Sequence, residues 1–253
     1  MIIPLLLFAA QAGAATPAAT LQANDQQRFE ACTKLVDSDP ARALDQAGAW
    51  HVSGGELLAR QCEALAYVAQ KRWVPAATAF EAAAKEADNK GDGRSTNFWI
   101  QAGNAALAAN DPARARTAFD AALARGQAVQ ADLGEIYLDR ARARFALTDK
   151  KGARDDLDAA LKLVPADPLA WLLSATLARQ SGDLLRAQGD IAEAMTRSPD
   201  DAQVALEAGN IAILGGRDDV ARTAWRAAVK NGGDRPAGKA AADALARLDS
   251  PKP

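Results

Sequence analysis

The clearest alternation of apolar and polar positions in the chain lies between Pro168 and Asp201. In its first half the apolar residues recur at spacings of three and four: Leu169, Leu172, Leu173 and Leu177. The second half repeats these spacings with Leu184, Ala187, Ile191, Ala194 and Met195. Because such spacings place side chains on one side of an α-helix, the stretch predicts two amphipathic helices. The polar residues 181–183 predict the turn between them, with Asp183 as the N-cap of the second helix.

The two-helix pattern recurs along the chain with a period close to 34 residues. One period from Ala187 lie Ala153 and Ala221, and slightly longer steps reach Ala115 and Ala76. Because a single helix pair cannot bury both of its apolar sides, the period predicts that successive pairs stack and share a core. The predicted units are a degenerate repeat at 21–55, five repeats at 56–91, 95–130, 134–167, 168–201 and 202–233, a C-terminal capping helix at 234–249 and a tail at 250–253.

Six residues of the clearest stretch match a known repeat pattern: Trp171, Ala175, Ala187, Ile191, Ala194 and Pro199. On these residues the sequence resembles a tetratricopeptide repeat (TPR), a helix-turn-helix unit of about 34 residues. The resemblance implies an all-α fold, namely a right-handed α-solenoid of TPR repeats that ends in a capping helix. The alternative is an alanine-rich helical bundle, which gives no reason for small residues at a constant phase.

The N-terminal residues differ in composition from the rest of the chain. The run from Ile2 to Ala10 is apolar and uncharged, and residues 12–14 fit the small-x-small pattern of a signal-peptidase site. The run is far shorter than the ~20 residues that span a bilayer. We therefore expect a signal peptide at 1–14, a flexible lead-in at 15–20 and a periplasmic protein without a stable membrane span. No Lys or Arg precedes the apolar run, so either the free amino terminus serves instead or the true start lies upstream of Met1. The alternative to a signal peptide is a disordered or helical cytosolic N-terminus.

The chain has two cysteines, Cys32 and Cys62, which are 30 residues apart. Each falls in the predicted first helix of its repeat, and the TPR resemblance implies that consecutive first helices lie side by side. An even pair of cysteines in an exported protein favours a disulfide, which we expect here. The alternative is two buried free thiols. We predict no metal or redox site, because there is no CxxC motif and the single histidine, His51, has no ligand spacing.

Neither charge nor motifs indicate nucleic-acid binding or catalysis. The net charge is −2, and basic residues are scattered among acids, which gives no case for a nucleic-acid partner. Acidic pairs such as Asp155-Asp156 are adjacent in a helix and do not face one another. The chain has no GxSxG motif or Walker loop, and His51 has no plausible Ser and Asp partners. We therefore predict no enzyme activity, no catalytic residues and no cofactor.

The TPR resemblance implies candidate ligand-binding positions. In this family, residues just after the small position of the first helix point into a concave groove, where an asparagine often holds the backbone of an extended peptide. The pairs Gly103-Asn104 and Gly209-Asn210 match that pattern. The predicted ligand-binding residues are Gln101, Asn104, Asp139, Arg142, Thr176, Arg179, Glu207 and Asn210. The alternative is that the asparagines are polar helix residues that face water.

The predicted function is a non-enzymatic scaffold or adaptor in the periplasm that binds a protein or peptide partner in its groove. The alternative is a structural subunit that self-associates into a homo-oligomer, or docks on a cell-envelope assembly, through an outer face. The family's binders of C-terminal carboxylates need basic residues at one position of the repeat, and at that position three successive repeats here carry a leucine: Leu138, Leu172 and Leu206. This leucine column argues against binding of a C-terminal carboxylate. It predicts either core packing or a partly apolar ligand such as an amphipathic helix.

Overall fold

The computed structural model describes residues 17–126 and 128–250, which form α-helices joined by short turns and contain no strand. The described residues therefore confirm the predicted all-α fold. A short π-helical turn, His51–Gly55, connects the second and third helices. The helices are α1 (Pro17–Ser38), α2 (Pro40–Trp50), α3 (Glu56–Ala69), α4 (Trp73–Lys90), α5 (Ser95–Ala108), α6 (Pro112–Ala124), α7 (Gln130–Ala146), α8 (Lys150–Leu163), α9 (Pro168–Gln180), α10 (Leu184–Arg197), α11 (Ala202–Leu214), α12 (Asp218–Gly232) and α13 (Pro236–Asp249).

Aspartates begin most of the second helices of the pairs. Each accepts a hydrogen bond from the backbone N–H three residues later, and they are Asp39, Asp111, Asp149 and Asp183. This bond satisfies one of the N–H groups that have no partner within the helix. The predicted cap at Asp183 is thereby confirmed. In α12 the cap position is instead Arg217, whose side chain makes no capping bond.

Two helix boundaries differ from the expectation. Helix α1 begins at Pro17, so part of the lead-in predicted as flexible (15–20) is helical. Proline suits the first helical position and the alanines after it have the highest helix propensity, which explains the earlier start. Helix α7 begins at Gln130, before the predicted repeat 134–167, and the extra residues of this longer period form an added helical turn. The predicted signal peptide, 1–14, lies outside the described residues.

The described residues form two compact units, 17–79 and 80–250. In the first unit α1, α2 and α3 contact one another. Cys32 and Cys62 form a disulfide between α1 and α3, with their Cα atoms 6.2 Å apart, which confirms the predicted pairing. The buried residues around it are Ala43, Ala47, Trp50, Ala59 and Ala66. The disulfide therefore ties the degenerate N-terminal repeat to the helix that follows it.

The second unit is a stack of helix pairs with alanines at the contacts. Helix α5 packs on α6, α7 on α8, α9 on α10 and α11 on α12, while α13 packs on α11 and α12. The alanines at the repeated small positions of α6, α8, α10 and α12 have no exposed surface: Ala115, Ala122, Ala153, Ala160, Ala187, Ala194, Ala221 and Ala228. Small side chains at these positions let the helices approach closely. Ala241 and Ala244 of α13 cover the last of the core, so α13 is the predicted capping helix.

An arginine near the end of the second helix stacks on the tryptophan at the start of the first helix in two repeats. The guanidinium of Arg197 lies 5.0 Å from the centre of the Trp171 ring. Both side chains donate hydrogen bonds of 2.8 Å to the carbonyl oxygen of Pro165. Arg125 stacks on Trp99 in the same way, at 5.1 Å. These arginine–tryptophan stacks are cation–π contacts that link the two helices in each of these two repeats.

Candidate functional site

The predicted ligand-binding residues lie on the first helices of pairs in the second unit. Neighbouring first helices contact each other, α5 with α7, α7 with α9, and α9 with α11. We call the surface that carries the predicted residues the first-helix face, and it comprises Gln101, Asn104, Asp139, Arg142, Thr176, Arg179, Glu207 and Asn210. The stacking of the repeats therefore places residues from four separate stretches of sequence on one continuous series of helices.

The glycines of the two Gly-Asn pairs are required by packing. A Cβ atom on Gly103 would lie 2.6 Å from the ring of Phe119. On Gly209 it would lie 2.4 Å from the indole of Trp225. Both distances are shorter than real carbon contacts, so a larger residue at either position would displace an aromatic side chain of the core. The glycine of each pair thus has a role in the fold that is independent of a ligand.

A pocket of about 230 Å³ lies between α7 and α9 on the first-helix face. We call it the α7–α9 pocket, and it is lined by Ala141, Arg142, Phe145, Leu157, Leu173, Thr176 and Leu177. Arg142 and Thr176, both predicted from the sequence, supply its polar groups. Apolar walls with a few polar groups are the usual composition of a ligand-binding site in proteins. The structure therefore brings two of the predicted residues together at a concave site.

Arg142 is the charged residue of the α7–α9 pocket. Its Nη1 atom donates a 2.8 Å hydrogen bond to Oδ1 of Asp139, one helical turn earlier, and its side chain is 46% exposed. Burial raises the pKa of Asp139, although the bond from Arg142 opposes this effect. A guanidinium has five N–H donors. The pair with Asp139 therefore leaves donors of Arg142 for a ligand.

The apolar half of this site is not among the residues predicted from the sequence. Phe145 lies three residues after Arg142, and Leu173 lies three residues before Thr176, so each shares a helix side with a predicted polar residue. Both are half-buried. The hydroxyl of Thr176 donates a 2.9 Å hydrogen bond to the carbonyl oxygen of Leu172. A large apolar residue one turn from a predicted polar position was the signal in the sequence that could have identified the pocket.

Three other predicted residues bind one another. Arg179 donates from Nε and Nη2 to the two carboxylate oxygens of Glu207, at 2.6 and 3.2 Å, and so joins α9 to α11. Asn210 donates to the same carboxylate at 3.3 Å and accepts a 3.2 Å hydrogen bond from Nε1 of Trp225. Glu207 is only 6% exposed. The network therefore links α9, α11 and α12, and the ion pair with Arg179 offsets the cost of burying the Glu207 carboxylate.

Gln101 and Asn104 are exposed on α5 and do not line the α7–α9 pocket. Asn210 lines a second pocket, of about 370 Å³, between α11 and α13. This α11–α13 pocket is lined by Asn210, Ile213, Trp225, Ala244, Arg247 and Leu248. It combines apolar walls with one arginine, as the α7–α9 pocket does. The two asparagines of the Gly-Asn pairs therefore have different surroundings.

The leucine column belongs to the core rather than to the ligand side. Leu138 and Leu172 are 4% and 7% exposed, and Leu206 is half-buried against the last core cluster.

Among the residues that the structure describes, no group of three His, Cys, Asp or Glu side chains is arranged to hold a metal ion. Nor does the described part of the chain include a helix with the length and hydropathy needed to cross a bilayer.

Solved structures resemble this chain over most of its length. PilW, a type IV pilus biogenesis factor, has 19% sequence identity and a TM-score of 0.65, with 85% of this chain and 97% of PilW covered. The TPR protein YrrB, which has an unusual peptide-binding site, has 18% identity and a TM-score of 0.58, with coverages of 78% and 95%. The quorum sensor NprR from B. thuringiensis has 14% identity and a TM-score of 0.67, with coverages of 90% and 72%.

A scan against protein-family models finds no match, and a search of curated proteins finds none either. At identities below 20% the likeness to solved structures establishes the fold alone. The helix pairs, the buried alanines at a 34-residue phase and the structural neighbours agree on one architecture. The fold of this chain is the tetratricopeptide-repeat fold.

Proposed function

We propose that this protein is a non-enzymatic scaffold that binds a peptide or protein partner on its first-helix face. The observation that carries the proposal is the α7–α9 pocket, in which apolar walls from Phe145 and Leu173 adjoin the exposed guanidinium of Arg142. The peptide-binding site of the similarly folded YrrB supports it. None of the predicted residues has a catalytic role in this proposal. Those at the pocket contact the partner, and the Arg179–Glu207–Asn210 network joins α9 to the next first helix, α11.

The test fills the pocket and measures partner capture. Thr176→Arg places a long side chain at the pocket, and Thr196→Arg is the matched control on α10. Both threonines donate a 2.9 Å hydrogen bond to the carbonyl oxygen four residues earlier, so the two substitutions remove the same local bond. Wild-type and variant proteins are immobilised, exposed to a periplasmic extract and compared by quantitative mass spectrometry. A partner should be lost from Thr176→Arg and retained by Thr196→Arg, and equal capture by both would reject the binding face.

We also propose that the protein works in the periplasm after export. The Cys32–Cys62 disulfide supports this location, because disulfides persist in oxidising compartments such as the bacterial periplasm. The apolar composition of residues 1–14 is a second, sequence-level support. The intact mass of protein from the native host, together with alkylation of its cysteines before and after reduction, tests both the export and the disulfide.

A specific observation favours the structural alternative, in which the protein docks or self-associates through an outer face. A pocket of about 390 Å³ lies among α10, α11 and α12, away from the predicted residues. Met195 and Val220 line it and are 45% and 49% exposed. Light scattering at increasing concentration tests this alternative. If this surface mediates self-association, wild type should form a dimer or larger species that Met195→Glu with Val220→Glu abolishes.

A further inference from the structure

The size of the α7–α9 pocket indicates what it accepts, an inference that rests on the function proposed above. Its volume of about 230 Å³ is below the roughly 300–1,000 Å³ of pockets that enclose small-molecule ligands. Its lining is apolar except for Arg142 and Thr176. A space of this size and composition suits one aliphatic or aromatic side chain, which is the usual anchor of a peptide in a groove.

The charge at the pocket gives the second part of the ligand's chemistry. The side chain of Arg142 is 46% exposed, whereas that of its partner Asp139 is 20% exposed. The cation is therefore the more accessible member of the pair. A carboxylate beside the anchoring side chain would accept charge-assisted hydrogen bonds from Arg142. A lysine or arginine at the same place would meet a like charge.

The α11–α13 pocket shows the same combination on the same series of first helices. Ile213 and Trp225 contribute apolar walls, and Arg247, which is exposed, contributes a cation. On the helices between the two pockets, the charge of Arg179 is neutralised by Glu207. Both pockets thus adjoin an exposed arginine, of which Arg142 is paired with Asp139, whereas the Arg179–Glu207 pair between the pockets is mostly buried and carries no net charge.

We infer that the ligand of the first-helix face is an acidic peptide segment. One of its apolar side chains enters the α7–α9 pocket, and a neighbouring carboxylate pairs with Arg142. The α11–α13 pocket, with Arg247, extends the same preference along the face. A small molecule fits the α7–α9 pocket less well because of the volume of that pocket. A basic peptide fits both pockets less well because each adjoins an arginine.

The experiment selects displayed random 12-residue peptides on the full-length wild-type protein. Enriched peptides are then synthesised with a fluorophore, and their affinities are measured by fluorescence anisotropy. We expect an Asp or Glu within two residues of a Leu, Ile, Met or Phe in the enriched sequences. Replacing that acid by its amide, or that apolar residue by Ser, should each weaken binding about ten-fold or more.

Two protein variants assign the contacts. Arg142→Gln should lower the affinity for the acidic peptides about ten-fold. It should also make that affinity less dependent on salt concentration. Arg116→Gln is the matched control, because Arg116 is exposed on the second helix α6, and it should bind as wild type does. Circular dichroism establishes that each variant is folded before its affinity is compared.

The outcomes separate this inference from the function on which it rests. If enriched peptides are neutral or basic, or bind Arg142→Gln as tightly as wild type, the acidic ligand is rejected. If those peptides still lose affinity for Thr176→Arg, binding on the first-helix face stands. If no peptide is enriched, or if Thr176→Arg leaves every affinity unchanged, both the ligand class and the proposed binding face are rejected.

Discussion

Trp225 donates a hydrogen bond from its indole Nε1 to Oδ1 of Asn210, with 3.2 Å between the two atoms. The amide of Asn210 in turn donates to the buried carboxylate of Glu207, which Arg179 holds in a bidentate ion pair. Asn210 therefore connects α11 to α12 from a position where the repeat pattern predicts a ligand contact. Asn104, at the same phase of its own repeat, is exposed on α5.

The two asparagines should consequently respond differently to truncation. Asn210→Ala leaves the Trp225 indole and the Glu207 carboxylate each short of one hydrogen bond, so we expect the free energy of unfolding to fall by about 1–3 kcal/mol. Asn104→Ala, the control, should change it by less than about 0.5 kcal/mol. Urea denaturation followed by circular dichroism measures both values. Equal stabilities of the two variants would show that the Asn210 network contributes nothing to the fold.

The close packing of Trp225 on Gly209 gives a second prediction. Gly209→Ala introduces a Cβ 2.4 Å from the indole, and we expect this overpacking to lower the free energy of unfolding by about 1–3 kcal/mol. In α10, Gly189 is exposed and a Cβ there meets no atom within 4 Å. Gly189→Ala should therefore raise stability by about 0.5–1 kcal/mol, through helix propensity alone. A stabilising effect of both substitutions would contradict the packing at Gly209.

The disulfide and the predicted signal peptide lead to a prediction about export. Protein from the native host should have an intact mass that lacks residues 1–14. Its Cys32 and Cys62 should react with an alkylating reagent only after reduction. A full-length chain with both thiols reactive before reduction would reject the periplasmic location.

The stability conferred by the disulfide can be measured on the purified protein. Replacing Cys32 and Cys62 with Ser removes a cross-link across 30 residues and should lower the free energy of unfolding by about 2–4 kcal/mol. Reduction of the wild type should have a similar effect, whereas reductant should leave the double variant unchanged. A wild type whose unfolding is insensitive to reductant would mean that the cross-link is dispensable.

Asp88 makes the stability of the protein depend on pH. Its carboxylate accepts hydrogen bonds from Nε of Arg125 at 2.7 Å and from Nε1 of Trp99 at 3.1 Å. The bond from Arg125 is the main cause that lowers the pKa of Asp88 from 3.8 to about 2. The ionised carboxylate therefore stabilises the folded state fully above pH 3.8. This contribution is lost progressively as the pH falls towards 2.

Asp88→Asn should lower stability at neutral pH and weaken its decline between about pH 4 and 2. Asp92 also contributes stability that is lost on acidification, because Arg94 lowers the pKa of Asp92 to about 2. The contribution of Asp88 is therefore the difference between the pH profiles of wild type and Asp88→Asn. Asp243→Asn, at an exposed position of α13, is the control. Urea denaturation at a series of pH values supplies the measurement. Parallel pH profiles for wild type and Asp88→Asn would contradict the assignment to Asp88.

The fold could be predicted because its determinants recur in the sequence. Each repeat buries small residues at the same phase, as Ala153, Ala187 and Ala221 illustrate, so one spacing rule describes several contacts. Helix caps such as Asp183 could also be predicted, because each depends only on residues within one helical turn. The prediction of a flexible lead-in at 15–20 was wrong from Pro17 onward, because local helix propensity rather than the repeat period determines where α1 begins.

The candidate site could be predicted only in part. The repeat phase placed Arg142 and Thr176 on neighbouring helices, and both line the α7–α9 pocket. The pocket itself depends on the distance between α7 and α9, which could not be predicted from the sequence. The same is true of the Arg179–Glu207 pair, whose members are 28 residues apart and whose burial follows from packing. Polar residues at equivalent phases can thus serve a ligand or the fold, and tertiary contacts decide which.

The arginine–tryptophan stacks have a spectroscopic consequence. Trp99 and Trp171 each lie beneath an arginine of their own repeat. In a linear stack, where a repeat contacts only its neighbours, separate helix pairs can open at different denaturant concentrations. An indole that loses its covering arginine gains water, and its emission moves to longer wavelength. In variants that keep either Trp99 or Trp171 as the sole tryptophan of the five in the chain, the emission would therefore record when the corresponding helix pair melts.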